Sequence, residues 1–194
     1  MPIVPARMLL PSLAAAALAQ AAFAAPETYT IDPQHTYPSI EFPHMGISVW
    51  RGKFNRTQGK ITLDRERRTG AVAVVIDAAS INFGLDTMDE KARSDDFFDV
   101  ARYPAASYKG TIHFAGDVPK SVDGEITIMG VTRPATLAIE SFKCMPHPML
   151  KQEVCGADAA AELNWSEYGM KMSKYGQGDA GKVRVRIQVE ALKD

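Results

Sequence analysis

A glycine motif near the C-terminus is one of two stretches that match a known kind of ligand-binding site. Gly176, Gly178 and Gly181 match the G-x-G-x-x-G spacing of dinucleotide-binding loops. In those loops the glycines follow a strand and open a helix, so that the backbone can approach a pyrophosphate. Here a strand pattern follows the glycines, which predicts a flexible hairpin loop rather than a nucleotide site.

The second stretch is Cys144-Met145-Pro146-His147-Pro148-Met149, which is followed by Cys155. Thiolate, thioether and imidazole groups are the ligands that Cu(I) prefers, so the stretch could hold copper, with Met170 and Met172 as further ligands. The opposing interpretation is a disulfide between the two cysteines, which export to an oxidising compartment would favour and which removes both thiolates. Closing a loop of this size would stabilise the fold by about 3 kcal/mol.

Motifs of hydrolytic enzymes do not occur in the sequence. There is no G-x-S-x-G and no H-E-x-x-H, and the positions of single His, Ser and Asp residues give no evidence of a triad. We therefore predict a protein that is not an enzyme, with no catalytic residue and no cofactor. The preferred interpretation also contains no metal site, and the copper site is its alternative.

Residues 1–24 have the three-part layout of a secretory signal peptide. Arg7 supplies the cation, Met8 to Ala19 form an apolar run, and Ala22-Phe23-Ala24 is a small-residue cleavage site. The run is alanine-rich and shorter than the roughly 20 strongly apolar residues of a membrane span. We therefore expect cleavage after Ala24, export to the periplasm, and a free domain of residues 25–194 with no stable membrane insertion.

The charge balance argues against polyanionic partners. The formal net charge is −1, which provides no field to gather phosphates, so neither nucleic acid nor an anionic membrane surface is an expected partner. The densest basic stretch, Arg65-Glu66-Arg67-Arg68, precedes Thr69-Gly70 and is predicted to be a solvated hairpin turn. The sequence leaves the oligomeric state open, with a homodimer as one alternative.

Alternation of apolar and polar residues predicts an all-β domain. Val183 to Glu190 alternates without a fault, so one face of that strand should be buried and the other wet. Similar stretches, separated by glycine, proline or Asp/Asn clusters, cover Ser39 to Ser48, Lys60 to Asp64, Ala71 to Ile76, Ala106 to Phe114, Gly124 to Met129, Ala135 to Phe142 and Ala159 to Leu163.

About eight antiparallel strands in one domain favour a closed barrel, because closure removes the two exposed edges of the sheet. A barrel of this size is either filled by side chains or holds one slender ligand. The small residues that would leave space in the lumen, if they face inward, are Ala71, Ala73, Ala138, Ala159 and Ala161.

One segment lacks the alternation and predicts a short surface helix. Thr87 to Ser94 is rich in helix formers, with Thr87 placed as the N-cap. The Asp95 to Asp99 segment then predicts a loop that tucks one aromatic ring inward. The helix would either plug an open end of the barrel or gate it.

Segments along the mature sequence resemble the YceI-like polyisoprenoid-binding family, and their order and spacing together carry the resemblance. The matching segments are Tyr29 to Thr36, Ile40 to His44, Gly52 to Phe54, Asp96 to Asp99, Tyr103-Pro104, Ile128 to Pro134 and Asn164 to Met170. The resemblance implies a lipocalin-like antiparallel barrel capped by a short helix. It also implies an isoprenoid or other amphiphilic lipid held non-covalently inside, without catalysis. The paired cysteines resemble those of a subgroup of the family.

Large apolar groups with some flexibility would suit a flexible lipid chain in such a tube. We predict that the lumen is lined by Phe42, Phe83, Phe97, Phe98, Tyr108, Phe114, Trp165, Tyr168 and Met170. His35 and His44 match family positions and are candidates to bond a quinone oxygen or phosphate of the head-group. Ordinary core packing, or a histidine satisfied by backbone groups, is the alternative. An empty barrel serving as a protein-interaction module would instead have a lumen filled by large side chains.

Overall fold

The computed structural model describes residues 25–171 and 181–194, which form a mostly β structure. The strands are β1 (Glu27–Ile31), β2 (Tyr37–His44), β3 (Ser48–Phe54), β4 (Thr57–Asp64), β5 (Thr69–Asp77), β6 (Ile81–Asn82), β7 (Ala105–Ala115), β8 (Val118–Ile128), β9 (Val131–Pro146), β10 (Glu153–Asn164) and β11 (Lys182–Lys193). The helix α1 spans Asp86–Arg93, and 3-10 turns span Ala78–Ser80 and Trp165–Tyr168. Within the described ranges, no helix is both long and apolar enough to cross a bilayer.

The sheet closes into an antiparallel barrel of eight strands, as the sequence predicts. From β4 the strands follow one another around the wall to β11, and β1 then pairs with both β11 and β4. Along β11, β2 takes over the pairing where β1 ends, and β3 pairs with the other edge of β2. Tyr37 to Glu41 pair with β11, while Phe42 to His44 pair only with β3 and form a projecting hairpin.

Period-2 alternation sets the two faces of the wall. Along β11, Val183 and Val185 are buried, whereas Arg184 and Arg186 point outward and pair with Glu140 at 2.9 and 3.4 Å. The predicted strand over Val183 to Glu190 is confirmed. Because successive side chains alternate, each strand delivers an apolar row to the interior of the barrel.

The two ends of the barrel differ in construction. The hairpin turns at 65–68, 116–117 and 147–152 lie at the end of the barrel where β1 begins at Glu27 and β11 ends at Lys193, and we call this the disulfide end. The helix α1, the Trp165–Tyr168 turn and the β2–β3 hairpin lie at the opposite end, the helix end. Hydrophobic core residues form two clusters. One lies at the helix end, and the other, the lumen cluster, forms the wall around the interior of the barrel.

The predicted single strand from Ser39 to Ser48 is wrong at residues 45–47, which separate two strands. The structure turns sharply at residues 45–47, where Met45 and Gly46 have φ values of 54° and 70°, and β3 then runs back from Ser48. The turn contains one glycine between two large apolar residues, so the composition did not mark it as a turn.

The helix is confirmed, but Thr87 is not its N-cap. Leu85 holds that position and makes no side-chain capping bond. Instead, the buried Asp89 carboxylate accepts hydrogen bonds from the backbone N–H of Phe83 at 2.6 Å and the side chain of Asn82 at 3.2 Å. The Asp89 carboxylate thus fixes the loop that precedes the helix, and the helix begins without a side-chain N-cap.

Candidate ligand-binding lumen

The inward rows of the strands surround a cavity of about 140 Å³. Its wall takes alternate residues from each strand, such as Val72, Val74 and Ile76 of β5. Its size is close to that of an apolar cavity of about 150 Å³ that stays dry and accepts benzene. Among the described residues, no charged side chain lies on this wall. The cavity therefore suits an apolar group of small cross-section.

The alanines divide between the two faces of the wall. Ala159 and Ala161 line the cavity, as the hypothesis of lumen space requires. Ala71, Ala73 and Ala138 face outward and are exposed, so they provide no space inside. The two faces follow from strand register, which composition alone does not reveal.

Aromatic rings fill the helix end above the cavity. This aromatic cluster consists of Phe42, Trp50, Phe54, Phe83, Phe98 and Trp165. Phe98 lies 5.4 Å from both Phe54 and Trp165, measured between ring centroids, and Phe42 lies 5.6 Å from Trp165. The predicted tucked ring after the helix is confirmed, because Phe98 is 4% exposed. Val185 belongs to the hydrophobic core in which these rings pack and also lines the cavity, so the two regions are contiguous.

Most of the nine predicted lumen residues lie at the helix end rather than on the cavity wall. Tyr108 is the one of the nine that lines the cavity. Phe114 packs, partly buried, against the lumen cluster. The other seven pack at the helix end and are Phe42, Phe83, Phe97, Phe98, Trp165, Tyr168 and Met170. Their contact with a ligand stays a prediction, and the wall itself is mainly aliphatic.

Charged side chains close the disulfide end around one buried phenol. We call Glu27, Tyr29, Arg65, Glu153 and Lys193 the ionic cluster. The Tyr29 hydroxyl lies 2.5 Å from Glu153 and 3.0 Å from Glu27, and it accepts a hydrogen bond from Arg65 at 2.8 Å. Arg65 also pairs with Glu153 at 2.8 Å and Glu27 at 3.1 Å, and Lys193 pairs with Glu27. The hydrogen bond from Lys193 lowers the pKa of Glu27, and burial raises the pKa of Tyr29.

The predicted solvated turn at residues 65–68 is confirmed as a hairpin turn between β4 and β5. It is not only a solvated feature, however, because Arg65 reaches across the barrel end to β1 and β10. A contact between residues 88 positions apart in the chain carries no local sequence pattern.

Three residues that carry hydroxyl groups line the cavity, and all three do so through their carbon atoms. Burial raises the pKa of Tyr108 to about 12, and its hydroxyl lies 3.0 Å from the Val122 carbonyl and 2.9 Å from that of Ala135. Thr36 and Thr57 are the other two, with 1% and 4% exposure. The surface that the cavity presents to a ligand is therefore apolar even at these residues.

The two candidate head-group histidines are not brought together. His35 lies exposed at the bend after β1, where its Nδ1 is 2.7 Å from Asp32, and this hydrogen bond raises the pKa of His35. His44 lies in the projecting hairpin, stacked on Trp50 with ring centroids 4.1 Å apart. Their role toward a head-group stays a prediction.

The cysteines form the predicted disulfide, joining β9 to β10 at directly opposite positions. Cys144, Glu153 and Cys155 have ligand atoms close enough to share a metal, but both sulfurs are used in the disulfide. The His147 Nδ1 accepts hydrogen bonds from the backbone of the same turn. Met170 is buried at the helix end, away from this loop, and Met172 lies outside the described residues, as do Gly176 and Gly178 of the glycine motif.

A closed antiparallel wall, an apolar cavity and a helix at one end define a small closed β-barrel with an apolar lumen. The chain belongs to the YceI-like domain family, whose family model matches residues 29–191. A UPF0312 protein of Pseudomonas aeruginosa is 31% identical over 194 residues, covering 96% of this chain and 100% of that protein. A second UPF0312 protein, from Vibrio parahaemolyticus, is 33% identical over 169 residues, covering 85% and 87%.

Solved structures share the fold. BcnA of Burkholderia cenocepacia matches with a TM-score of 0.68 at 19% identity, covering 83% of this chain and 99% of that one. A polyisoprenoid-binding domain of Saccharophagus degradans matches with a TM-score of 0.62 at 14% identity, covering 86% and 98%. At these identities the likeness establishes the barrel architecture.

Proposed function

We propose that the protein is an exported, periplasmic carrier that holds an isoprenoid-type lipid non-covalently inside its barrel and does no chemistry on it. The observation that carries the proposal is the cavity, which all eight strands of the wall surround with apolar side chains. Membership of the YceI-like family and the likeness to a polyisoprenoid-binding domain support the ligand class. The layout of residues 1–24 supports the location.

Burial of hydrocarbon supplies the affinity. Removing apolar surface from water contributes about 2.5 kcal/mol for every 100 Å² at roughly 25 cal/mol per Å². A prenyl chain can therefore bind tightly without an elaborate polar site, and the smooth aliphatic wall is consistent with such a ligand.

A long chain must displace side chains, because the cavity of about 140 Å³ accommodates one small ring. Entry at the disulfide end would separate the ion pairs of Arg65 with Glu27 and Glu153. Entry at the helix end displaces aromatic rings. The rings lose van der Waals contacts with one another, and the lipid chain can replace these with its own van der Waals contacts. The helix end is therefore the favoured entrance.

The direct test is mass spectrometry of the purified mature protein, with organic extraction for lipids and metal analysis of the intact sample. A stoichiometric isoprenoid lipid is the expected result. Stoichiometric copper without lipid would overturn the proposal in favour of the Cys144 to Cys155 loop.

A lumen-filling variant tests whether the lipid sits in the cavity. Ala159 faces the cavity and is 7% exposed, so Ala159→Phe places a ring of about the size of the cavity inside it. We expect this variant to fold and lose its lipid. Ala73→Phe makes the same change on the outer face of β5 and should keep the lipid. Full lipid retention by folded Ala159→Phe would place the ligand elsewhere.

A further inference from the structure

The tip of the β2–β3 hairpin exposes large apolar side chains to solvent. We call residues 45–49 the hairpin tip. Ile47 is 80% exposed, Met45 is 66% exposed, and Val49 is also exposed. The tip projects beyond the barrel wall, because Phe42 to His44 pair only with β3. Several large apolar groups exposed together mark a contact surface on a soluble protein.

Polarity changes along the hairpin in three levels. The hairpin tip contains no Asp, Glu, Lys or Arg. At its base the rings of His44 and Trp50 stack, with centroids 4.1 Å apart. Glu41 and Arg51 lie opposite each other about 10 Å farther along the two strands and form an ion pair at 3.0 Å. The order apolar, aromatic, charged is the order in which a bilayer presents hydrocarbon, interface and water, and interfacial segments enter it by about 5–10 Å.

Two other turns of the barrel expose apolar side chains beside charges. Met149 is 81% exposed at the disulfide end, but the exposed Lys151 belongs to the same turn and the ionic cluster lies at the same end. Val118 is exposed next to Asp117, whose side chain is also exposed. Moving a charge into hydrocarbon is costly. Of these three turns, the hairpin tip is the one that can enter a bilayer without carrying a charge into it.

The hairpin tip lies at the favoured entrance of the barrel. Trp50, at its base, lies 5.9 Å from Phe42, and Phe42 lies 5.6 Å from Trp165, measured between ring centroids. Leu85 is a further exposed apolar residue at this end, where α1 begins. A bilayer in contact with the tip therefore faces the aromatic cluster. A lipid that leaves such a bilayer reaches the rings directly, which shortens its path through water.

We propose that the hairpin tip inserts shallowly and reversibly into the surface of a lipid bilayer and holds the helix end there for lipid exchange. Ile47 and Met45 enter the hydrocarbon, the His44 and Trp50 rings lie at the interface, and the charged pair below them stays in water. The contact is apolar, so it needs no anionic head-groups, in keeping with the net charge of −1. This inference rests on the proposed carrier function and names the bilayer as the place where the lipid is exchanged.

The first test is co-sedimentation of the mature protein with phosphatidylcholine vesicles. It compares Ile47→Ser with the matched control Met149→Ser, since Met149 is as exposed as Ile47 and lies at the opposite end. Ile47→Ser should bind about tenfold more weakly than wild type, because burying a side chain of this size changes an equilibrium by at least that factor. Met149→Ser should bind like wild type, and high salt should not weaken binding. Equal binding by the two variants, or loss of binding at high salt, would overturn the inference.

An environment-sensitive dye measures insertion directly. Ile47→Cys and Met149→Cys each provide one free thiol, because the two native cysteines form the disulfide. The emission of a dye on residue 47 should shift to the blue when vesicles are added, and the emission of a dye on residue 149 should not. A shift at both positions would indicate non-specific adsorption, and a shift at neither would exclude insertion, so either result would count against the proposal.

Lipid uptake separates this inference from the carrier proposal. Ile47→Ser should load geranylgeraniol from detergent micelles as wild type does, but more slowly from vesicles, and an equal rate from vesicles would refute a role in exchange. If wild type contains an isoprenoid lipid but does not bind vesicles, this inference fails and the carrier stands. If it binds vesicles through Ile47 but contains and takes up no lipid, the carrier fails and the membrane contact stands. If Ile47→Ser instead converts a dimer into a monomer and vesicles are not bound, a second copy covers the tip and the inference is wrong.

Discussion

Removing the disulfide should lower the free energy of unfolding by about 3 kcal/mol. Cys144 and Cys155 are separated by 11 residues, and a closed loop of that size restricts the unfolded chain by about this amount. For a domain of this size, each kcal/mol shifts the melting temperature by about 2–4 °C. The double variant Cys144→Ala/Cys155→Ala should therefore melt about 6–12 °C below the oxidised wild type.

The assay is thermal unfolding followed by circular dichroism for the oxidised wild type, the wild type with reductant, and the double alanine variant. The first two share every side chain, so their difference isolates the cross-link. The reduced wild type and the alanine variant then differ by two small side chains, of which Cys155 is buried. If reduction shifted the melting temperature by less than about 2 °C, a β9–β10 hairpin already present in the unfolded chain would explain it, and the loop-entropy argument would be refuted.

Three further predictions concern the two ends of the barrel. Arg65→Met should lower stability by about 1–2 kcal/mol at neutral pH, a value discounted because Arg65 and Glu27 are 45% and 30% exposed. This difference should become smaller on acidification, because Glu27 loses its charge as the pH falls through its pKa, which lies below the ordinary value of about 4.3, and a pH-independent difference would contradict it. The raised pKa of Tyr29 means that its contribution to folding stability is complete below about pH 10 and is lost as the pH rises further. Above about pH 10 the melting temperature should therefore fall more steeply with pH for wild type than for Tyr29→Phe. In Trp50→Phe, where Trp165 is the remaining tryptophan, lipid loading should change the fluorescence spectrum, and stoichiometric binding without a change would exclude entry through the helix end.

The strands and the barrel could be predicted because each depends on local alternation. Val183 to Glu190 has one buried face and one solvent-exposed face, and the alternation of apolar and polar residues predicts both. Closure follows from the number of strands, since an open sheet would leave two edges. The short helix was recognisable for the opposite reason, because Thr87 to Ser94 has no period of two. The turn at Met45 to Ile47 was missed, because its apolar residues continue the pattern of the strands on either side.

The cavity wall could not be predicted from residue size. Large aromatic residues such as Trp165 and Phe98 pack with one another at the helix end, whereas aliphatic residues line the cavity. Which of two apolar groups faces a cavity depends on register and on the path of the chain beyond each strand.

The ionic cluster closes the lumen at the disulfide end. A lumen that is closed at one end limits the length of the lipid tail that it can hold. From Thr57 to Leu63, two cavity residues on one face of β4, the strand advances about 20 Å. With the strand tilt of about 40° in an eight-stranded barrel, this corresponds to a depth of about 15 Å along the axis. A lipid that enters at the helix end can place a tail of that length in the barrel, and a longer tail must fold back or emerge through the helix end. The barrel would then discriminate between lipids by the length of their tails.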